Sequence, residues 1–184
     1  EQGYGTDRDD LKALYWRKKA SDLGYSYALN NLGWAYEKGE LGLERDMTMA
    51  QEYYRKSYAE DKDCGICMTN LGRMYELESE AQELVMAKIL YSKAFALGDL
   101  EAGNLLAVLE LGAFADSSST EEAKSILKII ADGNADYRLS VGDETHDEEV
   151  DKARKQLVAL RALDKAAGTL DLGSFHALVI GNTN

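Results

Sequence analysis

The chain repeats itself at a nearly constant interval, and this repeat limits its fold more than any other sequence feature. Small residues recur 37, 37 and 36 positions apart, at Ala13, Ala50, Ala87 and Ala123. Most residues three, four and seven positions after each alanine are apolar, aromatic or small. Positions with these spacings share one face of an α-helix. Each alanine therefore marks a predicted helix that recurs along the chain.

A second pattern follows the first in three of these segments. A small residue precedes a leucine by four positions and another small residue comes next, at Ala28, Leu32 and Gly33, at Cys67, Leu71 and Gly72, and at Ala102, Leu106 and Ala107. Eight positions before these leucines stand Gly24, Asp63 and Gly98, where a helix C-terminus favours a left-handed residue. The two patterns predict two antiparallel helices joined by a short turn. A longer connection, over Gly39 and Gly42 in one unit and residues 76–83 in the next, leads to the following hairpin.

The composition favours helices throughout. Proline is absent from all 184 residues, although average usage would give about nine. One helical hairpin cannot bury its own apolar face, so about three or more must stack. We therefore predict an all-α fold, an α-solenoid of stacked antiparallel helical hairpins in one domain. Residues 1–110 form the repeat array of about three units, and residues 111–184 form a degenerate unit with C-terminal capping helices.

The repeat unit resembles a known family. Residues 46–56, followed by residues 70–75, are similar to the Sel1-like repeat, a relative of the tetratricopeptide repeat, and residues 31–39 are the closest match. The resemblance covers about residues 8–110 and decays beyond them. Residues 121–139 are similar to a degenerate unit, and Ala153 marks a last helix predicted over residues 151–167. The resemblance implies a right-handed superhelix.

The resemblance also implies a function. Sel1-like proteins are, as a family, non-catalytic scaffolds, adaptors and inhibitors that bind other proteins. Bacterial members are often exported, and some are immunity proteins that neutralise secreted antibacterial effectors. The resemblance therefore implies a protein-binding chain that needs no cofactor, whereas the fold alone does not identify the partner.

The charge balance restricts the kind of partner. The chain carries 21 Lys and Arg against 33 Asp and Glu, a net charge of -12. This balance argues against nucleic-acid phosphates or an anionic membrane surface and favours a protein partner with a basic surface. No apolar run reaches the roughly 18 residues that a membrane span needs.

The first residue is Glu1 and not a methionine. This start predicts that an N-terminal piece was removed, either by a signal peptidase or by the choice of the expressed segment. We expect a periplasmic or otherwise exported protein, with a cytoplasmic location as the alternative.

The segment from Cys64 to Cys67 is the one that suggests covalent chemistry. The repeat places it at a helix N-terminus, where the helix dipole stabilises a thiolate. Cys67 also occupies the position of Ala28 and Ala102, which predicts a buried small residue. Three interpretations stay open: a core Cys67 with an incidental Cys64, a local disulfide, or a thiol redox protein. The two cysteines and two histidines are not spaced for a structural zinc ion.

Polar and aromatic residues of the first two units are candidates for partner contacts. The asparagines close to the repeat leucines, with Trp34 and Arg73, can line a concave face, where helical arrays commonly bind. These asparagines are Asn30, Asn31, Asn70 and Asn104. Tyr25, Tyr27 and Trp34 are large aromatics of the kind that form interface hot spots. We predict partner contacts at Tyr25, Tyr27, Asn30, Trp34 and Arg73, with core packing or a structural role as the alternative.

A strongly acidic block spans residues 143–151 and contains His146. Its carboxylates lack the spacing and the central glycine of an EF-hand, so we predict no calcium site. A solvated loop that leads into a helix N-terminus is one interpretation, because acids there suit the helix dipole. The alternative is an acidic contact surface for a basic partner, with Asp147, Glu148 and Glu149 as its contact residues.

Motifs of known catalytic sites do not occur in the sequence. It contains no GxSxG, no P-loop, no dinucleotide-binding glycine pattern and no HExxH. The family resemblance, taken with this absence, the missing methionine and the acidic charge, predicts a non-catalytic, immunity-type inhibitor that binds and neutralises an effector enzyme. A scaffold or adaptor for a protein assembly is the alternative among binding proteins, and a thiol redox protein that uses Cys64 and Cys67 is the alternative from another class.

Overall fold

Eight α-helices follow one another along the part of the chain that the computed structural model describes. This part comprises residues 9–78, 80–132 and 143–167, with side chains of the last range described for residues 147–163. In chain order the helices are α1 (Asp10–Asp22), α2 (Ser26–Lys38), α3 (Met47–Glu60), α4 (Gly65–Glu78), α5 (Ala81–Ala96), α6 (Leu100–Gly112), α7 (Ser117–Ala131) and α8 (Asp143–Ala167). No strand occurs within these ranges. The predicted all-α class, a stack of helical hairpins, is confirmed.

Aspartate side chains begin four of the helices. Each accepts a hydrogen bond from the backbone N–H three positions later, which satisfies a donor that the first helical turn leaves free. The pairs are Asp9 with Lys12, Asp46 with Met49, Asp99 with Ala102 and Asp116 with Ser119, at distances of 2.7–3.1 Å. These caps therefore fix where α1, α3, α6 and α7 begin.

Glycines form two of the three predicted turns. Gly24 follows α1 with φ 79°, and Gly98 follows α5 with φ 93°. Both values lie in the left-handed region that favours glycine, as expected for a helix C-terminus. The third turn, at Asp63, has no left-handed residue. There the Asp61 carboxylate accepts a 3.0 Å hydrogen bond from the Asp63 N–H, a side-chain turn that replaces the glycine geometry.

Consecutive helices pack side by side in a stack of two rows. The odd-numbered and even-numbered helices alternate, and the most extensive contacts join α2 with α3, α4 with α5, and α6 with α7. Within the even row, α2 also contacts α4, and α6 contacts α8. The repeated alanines Ala50, Ala87 and Ala123 are fully buried. The core therefore runs along the stack, between the two rows.

Two glycines of the even row face tyrosines of the following helix. A Cβ atom added to Gly33 would lie 2.7 Å from the Tyr54 ring, and one added to Gly72 would lie 2.6 Å from the Tyr91 ring. Both tyrosines are fully buried. The missing side chain at each glycine lets the ring fill the groove between the two helices.

Two segments predicted as connections are helical. Because α4 continues to Glu78 and α5 begins at Ala81, the connection predicted over residues 76–83 is shorter than expected. The acidic block at residues 143–151, predicted as a solvated loop, forms the first turns of α8. Acidic side chains stabilise a helix N-terminus, so the same composition suits these turns. The last helix thus begins before the predicted residue 151, while residues 133–142 and 168–184 lie outside the described residues.

Candidate protein-interaction surface

One exposed stripe follows the solvent side of α2. Tyr27, Asn31, Trp34 and Lys38 are spaced by four, three and four residues, so they share one helix face. Tyr27 is 62% exposed and Trp34 is 38% exposed, and Asn31 and Lys38 are exposed as well. We call these four residues the α2 ridge. Its aromatic side chains are accessible to a partner protein, and large aromatics contribute much of the binding energy in interfaces.

Lys38 holds the Trp34 ring in place. The Lys38 Nζ lies 4.6 Å from the centre of the ring in a cation–π contact, and 2.7 Å from Oε1 of Glu37. Such a contact contributes about 0.5–1 kcal/mol at an exposed site. Trp34 is therefore restricted before a partner arrives, which lowers the entropic cost of binding through this side chain.

Glu37 is the buried charge beneath the α2 ridge. Its Oε2 accepts a 2.8 Å hydrogen bond from the Tyr54 hydroxyl, and its Oε1 accepts one from Nη2 of Arg73 at 3.1 Å. Burial raises the pKa of Glu37, but hydrogen bonds from Lys38 and Tyr54 and the positive charge of Arg73 outweigh it, so the pKa lies below its ordinary value. The ionised carboxylate joins α2 to both α3 and α4.

A pair of asparagines also connects α2 with α4. The Asn70 Nδ2 donates a 2.9 Å hydrogen bond to Oδ1 of Asn30, and both residues are buried. The partner contact predicted for Asn30 is therefore corrected, because its side chain is used inside the stack. Arg73 reaches Asn70 Oδ1 at 3.5 Å as well as Glu37. Since part of its side chain is exposed, a partner contact at Arg73 stays a prediction.

Tyr25 lies at the start of α2 and is 63% exposed. It occupies the N-cap position without a side-chain hydrogen bond to the helix, so its ring has no capping role. With Tyr27 it places two exposed tyrosines on the first turn of α2. Their exposure does not fit the alternative of core packing, and partner contacts at Tyr25, Tyr27 and Trp34 stay predictions.

Two further apolar residues of this surface were not among the predicted contacts. Ile66 and Leu77 of α4 are exposed and stand 39 positions after Tyr27 and Lys38. The same offset joins Leu32 to Leu71, so the register of the repeat contained the signal for them. By this register they lie on the face of α4 that corresponds to the α2 ridge.

The first turns of α8 contain exposed and buried carboxylates. Asp147 and Glu148 are exposed, whereas Glu149 is buried. The Asn104 Nδ2 donates to the main-chain oxygen of Glu149 at 3.0 Å and to its Oε2 at 2.7 Å, and Lys152 Nζ lies 2.6 Å from its Oε1. The partner contact predicted for Glu149 is corrected, because this side chain attaches α8 to α6. Contacts at Asp147 and Glu148 stay predictions, and the side chain of His146 lies outside the described ones.

A disulfide joins Cys64 and Cys67. Cys64 directly precedes α4, and both residues are buried. Cys67 lies in the core position that Ala102 occupies in α6. Thiol exchange requires access to a sulfur atom, so the burial of both residues gives the redox alternative no support.

The types of side chain that bind metals do not form a cluster among the described residues. Nowhere in that part of the chain do three or more His, Cys, Asp or Glu side chains come together at a possible ion site. Among the helices described, none is long and apolar enough to cross a membrane.

The sequence matches a family described as Sel1 repeat, at residues 1–25, 26–62 and 65–99. These matches confirm the resemblance that the repeat suggested. Residues 26–62 contain α2 and α3, and residues 65–99 contain α4 and α5. The predicted hairpin pairs an odd-numbered helix with the even-numbered helix after it, such as α3 with α4. The family's unit instead pairs an even-numbered helix with the odd-numbered helix after it. It pairs the helices that make the most extensive contacts. No curated protein matches the chain.

Two solved structures are similar to the chain. One is a protective antigen present in uropathogenic Escherichia coli strains and displaying an SLR fold, with 19% identity and a TM-score of 0.59 over 84% of this chain and 35% of the antigen. The other is a Sel1 repeat protein from Oxalobacter formigenes, with 19% identity and a TM-score of 0.60 over 82% of this chain and 67% of that protein. The chain thus spans about a third of the antigen's length, and at these identities the similarity shows the fold alone.

Proposed function

Because the chain belongs to the Sel1 repeat family, whose repeats are generally non-catalytic and mediate protein–protein interaction, we propose that it is an immunity-type inhibitor that neutralises a partner effector enzyme. The partner contacts the α2 ridge and the adjoining exposed residues of α4. Inhibition follows if this contact covers the entrance to the partner's active site.

The observation that carries this proposal is the exposure of Tyr27 and Trp34 on a rigid base. Both rings project from a helix whose opposite side is buried, and Glu37 ties that helix to its two neighbours. Large aromatic side chains are frequent hot spots of interfaces, and a helix that is held rigidly before binding lowers the entropic cost of association. A tight, stoichiometric complex is what an inhibitor requires.

The charge of the chain supports a partner with a basic surface. The net charge is -12, and Asp147 and Glu148 are exposed on α8. Opposite charges accelerate association more than they slow dissociation. We expect the variant with both Asp147→Lys and Glu148→Lys to associate more slowly with the partner in low salt. Unchanged association rates would remove these two residues from the proposed interface.

The disulfide supports the further proposal that the protein is periplasmic or otherwise exported. Disulfides persist in oxidising compartments and are rare in the cytosol, and Cys64 and Cys67 are bonded. Fractionation of the source cells tests this, because a protein found only in the cytoplasm would contradict it.

A scaffold or adaptor for a protein assembly is the alternative. The same exposed face would then bind several partners with moderate affinity. An inhibitor forms a one-to-one complex and inactivates its partner, whereas an adaptor binds several partners and leaves them active.

The experiment compares partners captured by the tagged protein and by the variant with Tyr27→Ala and Trp34→Ala. Val158→Ala, which shortens an exposed apolar side chain of α8, is the matched control. Loss of two hot-spot aromatics should weaken the complex by at least about 30-fold, whereas the control should bind like the wild type. Any captured enzyme is then assayed with and without the purified protein.

One enzyme that is inactive in a one-to-one complex, and active with the double variant, is the result we expect. Several captured proteins that keep their activity would replace the inhibitor with the adaptor. Equal capture by the wild type and the double variant would remove the α2 ridge from the interface.

A further inference from the structure

A cavity opens where the C-terminal ends of α3 and α5 meet the start of α4. Its volume is about 430 Å³, which is in the range of small-molecule sites. The lining residues are Tyr58, Lys62, Asp63, Met68, Lys93, Ala96 and Leu97. Helices α1 and α2 precede these residues along the stack, and α6, α7 and α8 follow them. The cavity thus lies within the stack and not at an end where a further repeat helix is expected.

The repeat register explains why a cavity opens in this unit. One unit later, Tyr58 and Met68 correspond to Phe95 and Gly103. A Cβ atom added to Gly103 would lie 2.5 Å from the Phe95 ring, so this ring fills the space beside the glycine and is buried. Met68 occupies that space in the earlier unit, and the Tyr58 ring stays half-buried. Tyr58 therefore forms a wall of the cavity, and the fully buried Met68 forms its floor.

Two lysines border the cavity without a carboxylate partner among the described residues. The Lys62 Nζ lies 3.8 Å from the centre of the Tyr58 ring, and neither Lys62 nor Lys93 forms an ion pair in that part of the chain. Asp63 is the one carboxylate of the lining. The lining therefore has an excess of positive charge in a chain whose net charge is -12, and this local excess attracts an anion.

The register also shows which partner Lys93 lacks. Lys93 corresponds to Lys56 of α3, whose Nζ lies 2.6 Å from Oε1 of Glu52, one helical turn earlier. In α5 the residue one turn before Lys93 is Ile89. Lys93 can therefore pair with a group that a ligand brings, whereas Lys56 is engaged within its own helix.

We propose that this cavity binds a small organic anion, a molecule with a flat aromatic body and one carboxylate. The body lies between Tyr58 and Leu97, over Met68, and the carboxylate pairs with Lys62 and Lys93. Burial of the apolar body supplies affinity, and the charge-assisted contacts supply the preference for an anion. The cavity contains no residue of the α2 ridge, so this proposal stands or falls independently of the function proposed above.

The probe is 2-naphthoate, two fused aromatic rings with one carboxylate, and its neutral counterpart is 2-naphthamide. Each is titrated into the ¹⁵N-labelled full chain, where the backbone amide chemical shifts give the dissociation constant and locate the ligand. We expect saturable binding of 2-naphthoate with a Kd of about 1 mM or below, and the largest shifts at residues 62–63 and 96–97. Binding of 2-naphthamide should be at least about fivefold weaker, because it has no charge to pair with the lysines.

Two pairs of variants test where the ligand lies. Ala96→Phe fills the cavity and should weaken binding of 2-naphthoate at least about tenfold, since the added ring takes the space of the ligand. Ala59→Phe, at the equivalent exposed position of α3, should leave binding unchanged. The variant with both Lys62→Gln and Lys93→Gln should bind 2-naphthoate and 2-naphthamide equally, whereas the matched control Lys56→Gln should keep the preference for 2-naphthoate. Circular dichroism verifies that each variant is folded.

Three results would overturn the proposal. Absence of a saturable shift up to the solubility limit of 2-naphthoate would mean that the cavity takes no such ligand. Equal binding to the wild type and to Ala96→Phe would place the ligand elsewhere on the stack. Equal binding of 2-naphthoate and 2-naphthamide to the wild type would show that the two lysines do not select an anion.

Discussion

The Tyr54 hydroxyl donates a 2.8 Å hydrogen bond to Oε2 of Glu37, across the interface between α3 and α2. The relationship recurs one unit later, where the Tyr91 hydroxyl donates a 2.8 Å hydrogen bond to Oε2 of Glu76. In both units the tyrosine ring lies against a glycine of the even row. A hydrogen bond from a tyrosine to a glutamate, buried in the first case and partly buried in the second, therefore recurs with the repeat.

Removing the Tyr54 hydroxyl tests the strength of this contact. We expect Tyr54→Phe to lower the free energy of unfolding by about 1.5–3 kcal/mol, because the buried carboxylate of Glu37 loses a donor. Urea unfolding measures the change, and Tyr27→Phe, which removes an exposed hydroxyl, is the control with little expected effect. Equal stability of Tyr54→Phe and the wild type would mean that Lys38 and Arg73 satisfy Glu37 by themselves.

The third unit replaces all three members of the contact at once. By register, Gly33, Tyr54 and Glu37 become Ala107, Leu127 and Leu111, which are all buried. Leucine is smaller than tyrosine and leaves room for the Cβ atom of the alanine. Because leucine has no hydroxyl, no carboxylate is needed to accept a hydrogen bond from it. The size of the residue on the even helix is therefore coupled to the size of its neighbour.

A double-mutant cycle measures that coupling. Gly33→Ala alone should destabilise the protein by about 1–3 kcal/mol, because the added Cβ collides with the Tyr54 ring. In a Tyr54→Leu protein the same change should cost at least about 1 kcal/mol less. Gly112→Ala, with nothing within 4 Å of the added Cβ, is the control and should stabilise by up to about 1 kcal/mol. Additive effects of the two changes would contradict the steric explanation.

Acid should weaken the interface between α2, α3 and α4. The folded protein holds the pKa of Glu37 below its ordinary value of 4.5, so the ionised carboxylate contributes stability above that value. This contribution is lost as the pH falls from 4.5 through the lower pKa of the folded state. The measurement is urea unfolding of the wild type and of Glu37→Gln between pH 7 and pH 3. The difference between their unfolding free energies should be constant near neutral pH and shrink below 4.5, and a constant difference throughout would refute the assignment.

A second buried carboxylate depends on one lysine. Lys88 Nζ of α5 lies 2.5 Å from Oε1 of the fully buried Glu110 of α6. We expect Lys88→Met to destabilise the protein by about 3 kcal/mol, since it leaves the buried charge unpaired. Combining Lys88→Met with Glu110→Leu should recover most of this loss, as measured by thermal unfolding. No recovery in the double variant would show that packing, and not charge, accounts for the effect.

High pH should remove the stability that the ion pair between Lys88 and Glu110 contributes. Its hydrogen bond with Glu110 raises the pKa of Lys88 above the ordinary 10.5. On the alkaline side, the charge of Lys88 therefore contributes its full stability up to pH 10.5, and this contribution is lost as the pH rises through the higher pKa of the folded state. Measured upward from neutral pH, the stability difference between the wild type and Lys88→Met should accordingly begin to shrink above pH 10.5.

The sequence predicted the exposed part of the candidate surface better than its buried part. Tyr25, Tyr27 and Trp34 were identified as candidate contacts, and all three are exposed. Asn30 and Glu149 were predicted as contacts too, but Asn70 and Asn104 bind them inside the stack. Helical spacing shows which residues share a face, whereas their partners come from helices 40 and 45 positions away.

The sequence by itself determined the helices, their order and the repeat, because these depend on periodicity, caps and turns within a few residues of each other. The tertiary structure decided which helix packs most closely on which, which polar side chains are buried, and that a cavity opens between α3, α4 and α5. Those properties depend on the neighbours that distant segments supply, and a spacing pattern holds no record of them. Asparagine, for example, is buried and bonded to Asn70 at position 30 and exposed at position 31.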